Sequence, residues 1–128
     1  MKLKIVDIIS LWEPLLKLAE REIPIKIAFK LGRLIKTLEI ERRLIEEHKI
    51  KLLQKYGVAD SETLVIPNDK QKDFLGEWNS FIETEIEVNI EPLNLDFFDE
   101  ISYVNMTSKE MANLYVLTEE SINEKLNK

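Results

Sequence analysis

The residues that could perform chemistry in this chain are few. Among its 128 residues there is one histidine, His48, and there is no cysteine. Thiol nucleophiles, disulfides and thiolate metal sites are therefore excluded. His48 has no carboxylate three or four residues away, so the neighbour that would complete a metal pair on a helix is missing. The serines sit at expected caps and turns, where no base would activate them as nucleophiles.

Phosphate-binding loops are missing from the sequence as well. The three glycines, Gly32, Gly57 and Gly76, are isolated, and none belongs to a Walker or dinucleotide-binding pattern. We therefore predict a protein that is not an enzyme and that uses no metal and no other cofactor.

Two charged clusters are the remaining candidates for binding chemistry. One is an acidic row of four glutamates, Glu83, Glu85, Glu87 and Glu91. The other is a basic cluster of three residues, Lys26, Lys30 and Arg33. Glutamates in a row can hold a cation, and cations near the start of a helix can hold a phosphate. For both clusters, a solvated surface or pairing with the chain's own opposite charges is the simpler interpretation.

Charge is distributed unevenly between the two parts of the chain. The formal net charge is −6, but residues 1–56 carry +5 and residues 57–128 carry −11. This pattern predicts that the acidic part folds beside the basic part or meets it in another subunit. A protein that binds nucleic acid generically would have a more basic balance, so we do not expect that function.

The element that must position the basic cluster is one long helix. Between Pro24 and Gly57 there are strong helix formers and no further proline. Proline suits the first position of a helix, and glycine suits the residue past its end, where a left-handed conformation is cheap. A helix over about residues 24–56 is roughly 48 Å long, more than a small domain covers. We therefore expect part of it to contact another chain.

The long helix carries an apolar stripe that must be buried. Every seventh residue is apolar at Leu31, Leu38, Ile45 and Leu52. Leu34, Ile35, Leu53 and Tyr56 fall beside this stripe. Arg42 and Lys49 interrupt it, so each must extend to solvent or meet an acidic partner.

The opposite side of the same helix is mostly basic but also carries Phe29, Ile40 and Leu44. A two-helix hairpin covers only one side of a helix, so these three apolar residues require a third element or a second subunit. We predict a homo-oligomer, most simply a two-fold dimer, with Phe29, Ile40 and Leu44 at the interface.

The first part of the chain predicts a helical hairpin that begins with a short strand near residues 2–5. We expect a turn at residues 8–12, because Pro14 would disrupt a helix that began upstream. The first helix would then run from Pro14 to about Glu22 and bury Leu15, Leu18 and Ala19. Residues 22–24 form the hinge to the long helix.

The second part predicts a further amphipathic helix at about residues 69–84 and two more strands, near 63–66 and 86–90. The apolar face of this helix, predicted to be core, consists of Phe74, Leu75, Trp78, Phe81 and Ile82. Thr107 and Glu110 have the spacing of a capping box ahead of a short terminal helix. The expected fold is therefore a single α+β domain over residues 1–118 with one small, mostly antiparallel sheet. Residues 119–128 form a polar tail or a frayed helix.

Several segments together resemble a family of small phage-encoded proteins of unknown function. The resemblance covers residues 2–117 and is most specific at three places: Ile23-Pro24, the helix segments Leu38-Glu39 and Lys55-Tyr56-Gly57, and the strand Glu85-Ile86-Glu87-Val88 leading to Pro92. It implies a phage or prophage origin and expression in the cytoplasm of a bacterial host. These motifs are structural, so the resemblance transfers no active-site residue.

Two functional hypotheses follow. The first is a non-enzymatic phage accessory protein that acts through contacts with phage or host proteins, in virion morphogenesis or as an assembly helper. The alternative is an anti-defence protein that inhibits a host immune protein or sequesters a small signalling nucleotide at a subunit interface. In the nucleotide case Lys26, Lys30, Arg33 and Arg42 are the candidates for phosphate contact. We expect no membrane partner, because no apolar run is long enough to span a bilayer.

Overall fold

The computed structural model describes residues 1–60, 63–101 and 104–126. Its elements in chain order are β1 (Lys2–Lys4), α1 (Ile5–Ala19), α2 (Ile25–Tyr56), β2 (Val58–Asp60), β3 (Thr63–Val65), α3 (Asn68–Ile82), β4 (Glu85–Glu87), α4 (Leu95–Glu100), α5 (Ser108–Tyr115) and α6 (Glu119–Leu126). The α+β class, the helical hairpin and the very long helix are confirmed.

Helix α1 contradicts the predicted turn at residues 8–12, because it runs without a break from Ile5 to Ala19 and contains Pro14 in its interior. An interior proline costs about 3 kcal/mol through a lost hydrogen bond and a steric clash. Against this, α1 buries Ile8, Leu11 and Leu15 completely. Burial of one such side chain contributes roughly 1.5–3 kcal/mol, so packing outweighs the proline. Leu15 and Leu18 are buried as predicted, whereas Ala19 is exposed.

Helix α2 has the predicted length and the predicted inner face. Its buried residues are Ile27, Leu31, Leu34, Leu38, Ile45 and Leu52. They recur at helical spacing and face α1 and α3. Because this face supplies a large part of the core, the orientation of α2 about its own axis is fixed. The opposite side of the helix therefore faces away from the core.

Gly57 ends α2 for a different reason from the predicted one. Its φ of −84° and ψ of 153° are extended, not left-handed. Its N–H donates to the Leu53 carbonyl at 2.7 Å, and a Cβ at this position would lie 2.4 Å from that carbonyl oxygen. Glycine is therefore required here because the backbone approaches the last turn of the helix too closely for a side chain.

The strands form two separate antiparallel ribbons instead of the one predicted sheet. β1 pairs with β4, placing Leu3 opposite Ile86, whereas β3 pairs with β2 next to it in the chain. Pairing between neighbours in sequence costs little loop-closure entropy, which favours the local hairpin over a distant sheet. β4 also ends at Glu87, so residues 88–94 leave the predicted strand path and return toward α2.

Helix α3 packs on α2, but its apolar face is less buried than predicted. Trp78, Phe81 and Ile82 pack on the core but remain partly exposed, and Leu75 is 51% exposed. No residue of α3 is fully buried. The prediction that the whole apolar face of this helix is core is therefore wrong at Leu75.

The C-terminal helices begin at side-chain caps. The Thr107 hydroxyl accepts the Glu110 N–H at 3.1 Å, which confirms the predicted cap of α5. The Asn94 Oδ1 accepts the Phe97 N–H at 3.0 Å and caps α4 in the same way. Backbone hydrogen bonds from Leu93 to Leu117 at 2.7 Å and from Glu119 back to Leu93 at 2.9 Å tie α6 to the segment before α4.

Candidate interaction and ligand-binding surfaces

His48 is a packing residue in this structure. Its ring stacks on Phe81 with a centroid distance of 3.9 Å and an interplanar angle of 28°. Among the residues that the structure describes, no group of three or more histidine, aspartate or glutamate side chains could hold a metal ion. His48 therefore helps to join α2 to α3.

The acidic row is partly neutralised by the start of the chain. Glu83 pairs with Lys4 at 2.9 Å, and Glu87 pairs with the amino group of Met1, also at 2.9 Å. The hydrogen bond from that ammonium lowers the pKa of Glu87, and the hydrogen bond to Glu83 raises the pKa of Lys4. Two members of the row thus hold β1 against β4.

The two basic residues that interrupt the buried stripe of α2 lie over tryptophan rings. The Arg42 guanidinium carbon is 5.1 Å from the centroid of a Trp12 ring, and the Lys49 nitrogen is 6.0 Å from that of Trp78. Cations at this distance are attracted by the ring quadrupole. Arg42 is therefore engaged at the α1–α2 contact and does not line the cavity described next.

A cavity of about 240 Å³ lies between the first half of α2 and residues 89–94. Its floor is apolar and is formed by Leu34, Ile90, Leu93 and Phe97. Its polar lining residues are Lys30, Arg33, Thr37, Asn89, Glu91 and Asn94. Two of the four predicted anion contacts, Lys30 and Arg33, are thus brought to one cavity, whereas Lys26 and Arg42 are not among its lining residues.

The cavity's cations are not neutralised within the described part of the chain. Lys30, Arg33 and Glu91 all line it, yet none of them forms an ion pair within 4.0 Å there. Lys30 and Arg33 are three residues apart, and like charges at this spacing on a helix repel each other. The positive side of the cavity is therefore complementary to an anion.

The outer face of α2, defined here as Ile25, Phe29, Ile40 and Leu44, is apolar and uncovered. Phe29 is 68% exposed, Ile40 60% and Leu44 55%. With about 100° per residue, these positions fall opposite the buried stripe. The interface role of Phe29, Ile40 and Leu44 stays a prediction. The spacing of four residues to Phe29 is the signal that could also have identified Ile25.

The other wall of the cavity contains Glu91, which the sequence marked only as part of the acidic row, and Asn89 and Asn94, which the sequence did not mark. Asn89, Glu91 and Asn94 line it only because residues 88–94 turn back toward α2. The alternation of residues 85–91 predicts a continuing strand instead. Tertiary packing, not local pattern, brings these three side chains to Lys30 and Arg33.

Comparisons of the chain with known protein families, with curated proteins and with solved structures found no match. Phage origin and function therefore stay predictions. Among the described residues, no helix combines the length and the apolar content needed to cross a bilayer.

Proposed function

We propose that this chain is a non-enzymatic protein that acts through protein–protein contacts and that its outer face of α2 binds a second copy of itself. The observation that carries this proposal is the exposure of Phe29, Ile40 and Leu44 on a helix whose other side is fixed in the core. Exposed apolar residues on a helix whose other side is fixed in the core are typical of an interface.

Charge along α2 favours an antiparallel arrangement of the two copies. Residues 25–36 contain lysine and arginine but no carboxylate, whereas Glu39, Glu41, Glu46 and Glu47 all lie in the next part of the helix. With Ile40 on the two-fold axis, Ile40 packs on its counterpart and Arg33 of one copy faces Glu47 of the other. Leu44 then faces the stem of Lys36, and Phe29 faces Lys51 at the edge of the contact. A parallel pairing in register would place Arg33 against Arg33, which is unfavourable.

Cross-linking tests this arrangement directly, because the chain contains no cysteine and single-cysteine variants are unambiguous. Under oxidation, Ile40→Cys should give a covalent dimer. Arg33→Cys mixed with Glu47→Cys should also give a dimer, whereas Arg33→Cys alone should not. Cross-linking of Arg33→Cys to itself would contradict the antiparallel arrangement.

Light scattering tests the proposal without cross-linking. The wild-type chain should have the mass of a dimer at micromolar concentration, and the double variant Ile40→Glu with Leu44→Glu should be a monomer with unchanged helix content. Leu75→Glu is the matched control, because Leu75 is similarly exposed but lies on α3. A monomeric wild type would refute self-association through this face.

On this proposal the protein serves phage assembly, as a component or helper in virion morphogenesis. The segments from Ile23-Pro24 to Glu85-Ile86-Glu87-Val88 support a phage origin, and the exposed outer face of α2 supports a role through contacts with other proteins. The alternative, an anti-defence protein that sequesters a nucleotide, is favoured by one observation, the cavity beside Lys30 and Arg33. Affinity purification from infected cells, with identification of both bound proteins and bound nucleotides, separates the two roles.

A further inference from the structure

The cavity between α2 and residues 89–94 has the features of a small-molecule site, independent of self-association. The eleven lining residues come from two neighbouring parts of the chain, α2 and residues 89–97. Its apolar floor contains the buried ring of Phe97, and polar groups stand around the floor on both walls. Small-molecule sites combine apolar lining with polar groups that fix the orientation of the ligand. Here six of the eleven lining residues are polar, which favours a polar ligand with one flat apolar part.

The volume limits what the cavity can enclose. Pockets for drug-sized ligands occupy roughly 300–1,000 Å³, and this cavity is smaller at about 240 Å³. A dinucleotide would therefore extend far outside it. A single nucleotide, or a smaller molecule of similar shape, fits the available space better.

The charges and hydrogen-bonding groups are arranged at two places. Lys30 and Arg33 on α2 can hold a phosphate, and Arg33 can do so with two parallel hydrogen bonds. On the opposite wall the Glu91 carboxylate is an acceptor for an amino group, as carboxylates are for the amino group of cytosine. The Asn94 side-chain oxygen is used by the Phe97 N–H, which leaves its amide nitrogen free to donate to a base.

We propose that this cavity binds a nucleoside monophosphate whose base carries an exocyclic amino group. The phosphate lies against Lys30 and Arg33, the base lies over the apolar floor, and Glu91 accepts from the amino group. Binding goes beyond the proposed self-association and does not depend on it. Ile40→Glu should therefore abolish dimers and leave binding intact, with an affinity no lower than that of the wild type.

Calorimetric titration of the full chain with GMP, AMP, CMP, UMP and inorganic phosphate tests the proposal. At least one of the first three should bind, UMP should bind more weakly, and phosphate alone should bind much more weakly still. Failure of all three amino-bearing nucleotides to bind would overturn the proposal. Equal affinity for inorganic phosphate would also overturn it, because the cations alone would then account for binding.

Three variants locate the binding site. Lys30→Gln should lower affinity about tenfold or more, as expected for a lost charge-assisted hydrogen bond. Lys36→Gln removes an equal charge from the same helix at a position outside the cavity lining and should change affinity less than about twofold. Glu91→Gln should reduce the preference of the cavity for amino-bearing nucleotides over UMP. Equal losses in Lys30→Gln and Lys36→Gln would show a general effect of charge and refute the site.

Discussion

Leu38 and Ile40 lie two residues apart on α2 and face opposite directions, so truncating each one separates core packing from the outer face. Leu38 is 0% exposed and Ile40 is 60% exposed. Leu38→Ala removes buried methyl groups and leaves a cavity in the core. We expect it to lower the free energy of unfolding by about 2–5 kcal/mol.

Ile40→Ala should behave differently in the monomer. Full burial of an isoleucine contributes roughly 1.5–3 kcal/mol, and Ile40 buries only the smaller part of its surface within one chain. Alanine is also the better helix former by up to about 0.7 kcal/mol. The net cost should therefore remain below about 1 kcal/mol, unless a second chain covers this residue.

Urea denaturation followed by circular dichroism at two protein concentrations measures both effects. In the monomeric range, Leu38→Ala should be far less stable than Ile40→Ala. At higher concentration the wild type should gain stability by mass action, and Ile40→Ala should lose much of that gain. An Ile40→Ala variant as unstable as Leu38→Ala at the lowest concentration would refute the assignment of the two faces.

Three further predictions concern other elements. Thr107→Ala should lower the free energy of unfolding by about 1 kcal/mol, because its hydroxyl caps α5. Gly76→Ala and Gly32→Ala should each raise the free energy of unfolding of the monomer by about 0.5–1 kcal/mol. Glycine costs this much more than alanine inside a helix, and an added Cβ meets nothing within 4 Å. The hydrogen bond between Lys55 and Glu77 lowers the pKa of Glu77 and raises the pKa of Lys55. Stability should therefore fall in acid, as Glu77 is protonated, and in strong alkali, as Lys55 loses its proton.

Each of these predictions has a control within the chain. Ser108→Ala, next to the cap but not the capping residue, should have little effect, and an equal loss would contradict the role of Thr107. If Gly32→Ala stabilises the monomer but abolishes self-association, the backbone of the partner chain lies close to Gly32. Glu77→Gln should remove part of the acid sensitivity of unfolding, and an unchanged pH profile would show that the ion pair contributes nothing measurable.

The sequence predicted α2 well because its evidence is local and repeated many times. Helix formers fill the segment, and an apolar residue recurs every seven residues along the inner face. The same local reasoning failed at Pro14, where a rule about one residue competed with the burial of a whole helix face. The cost of Pro14 inside a helix could be estimated from the sequence, whereas the contacts of α1 with α2 and α5 that offset this cost could not.

Strand positions were also visible in the sequence, but strand partners were not. Alternation indicates which residues form a strand, and it says nothing about which other strand supplies the hydrogen bonds. Residues 63–65 pair with β2, and the sequence of β2 shows no clear alternation that would have predicted this partner. The cavity shows the same limit. Lys30 and Arg33 were identifiable as a basic cluster and Glu91 as part of an acidic row, but the sequence did not predict that they line one cavity.

Charge explains why both proposals involve the first half of α2. Three of the four ion pairs in the described part of the chain join residues 1–56 to residues 57–128, which supports the predicted attraction between the two parts. None of these pairs uses the cations of residues 25–36. That segment therefore keeps an unneutralised positive charge, which is available to a partner chain and to a phosphate.

Arg33 is the residue that couples the two proposed functions, because it lines the cavity and faces Glu47 of a second copy in the antiparallel dimer. A phosphate that engages Arg33 would weaken its pairing with Glu47. An exposed ion pair contributes at most about 1 kcal/mol and the two-fold dimer contains two such pairs, so saturating GMP should weaken the dimer by no more than about thirtyfold. By reciprocity, dimer formation should weaken GMP binding at each of the two sites by no more than about fivefold. Measuring the dimer dissociation constant with and without GMP decides this point, and a much larger effect would mean that the nucleotide lies between the subunits.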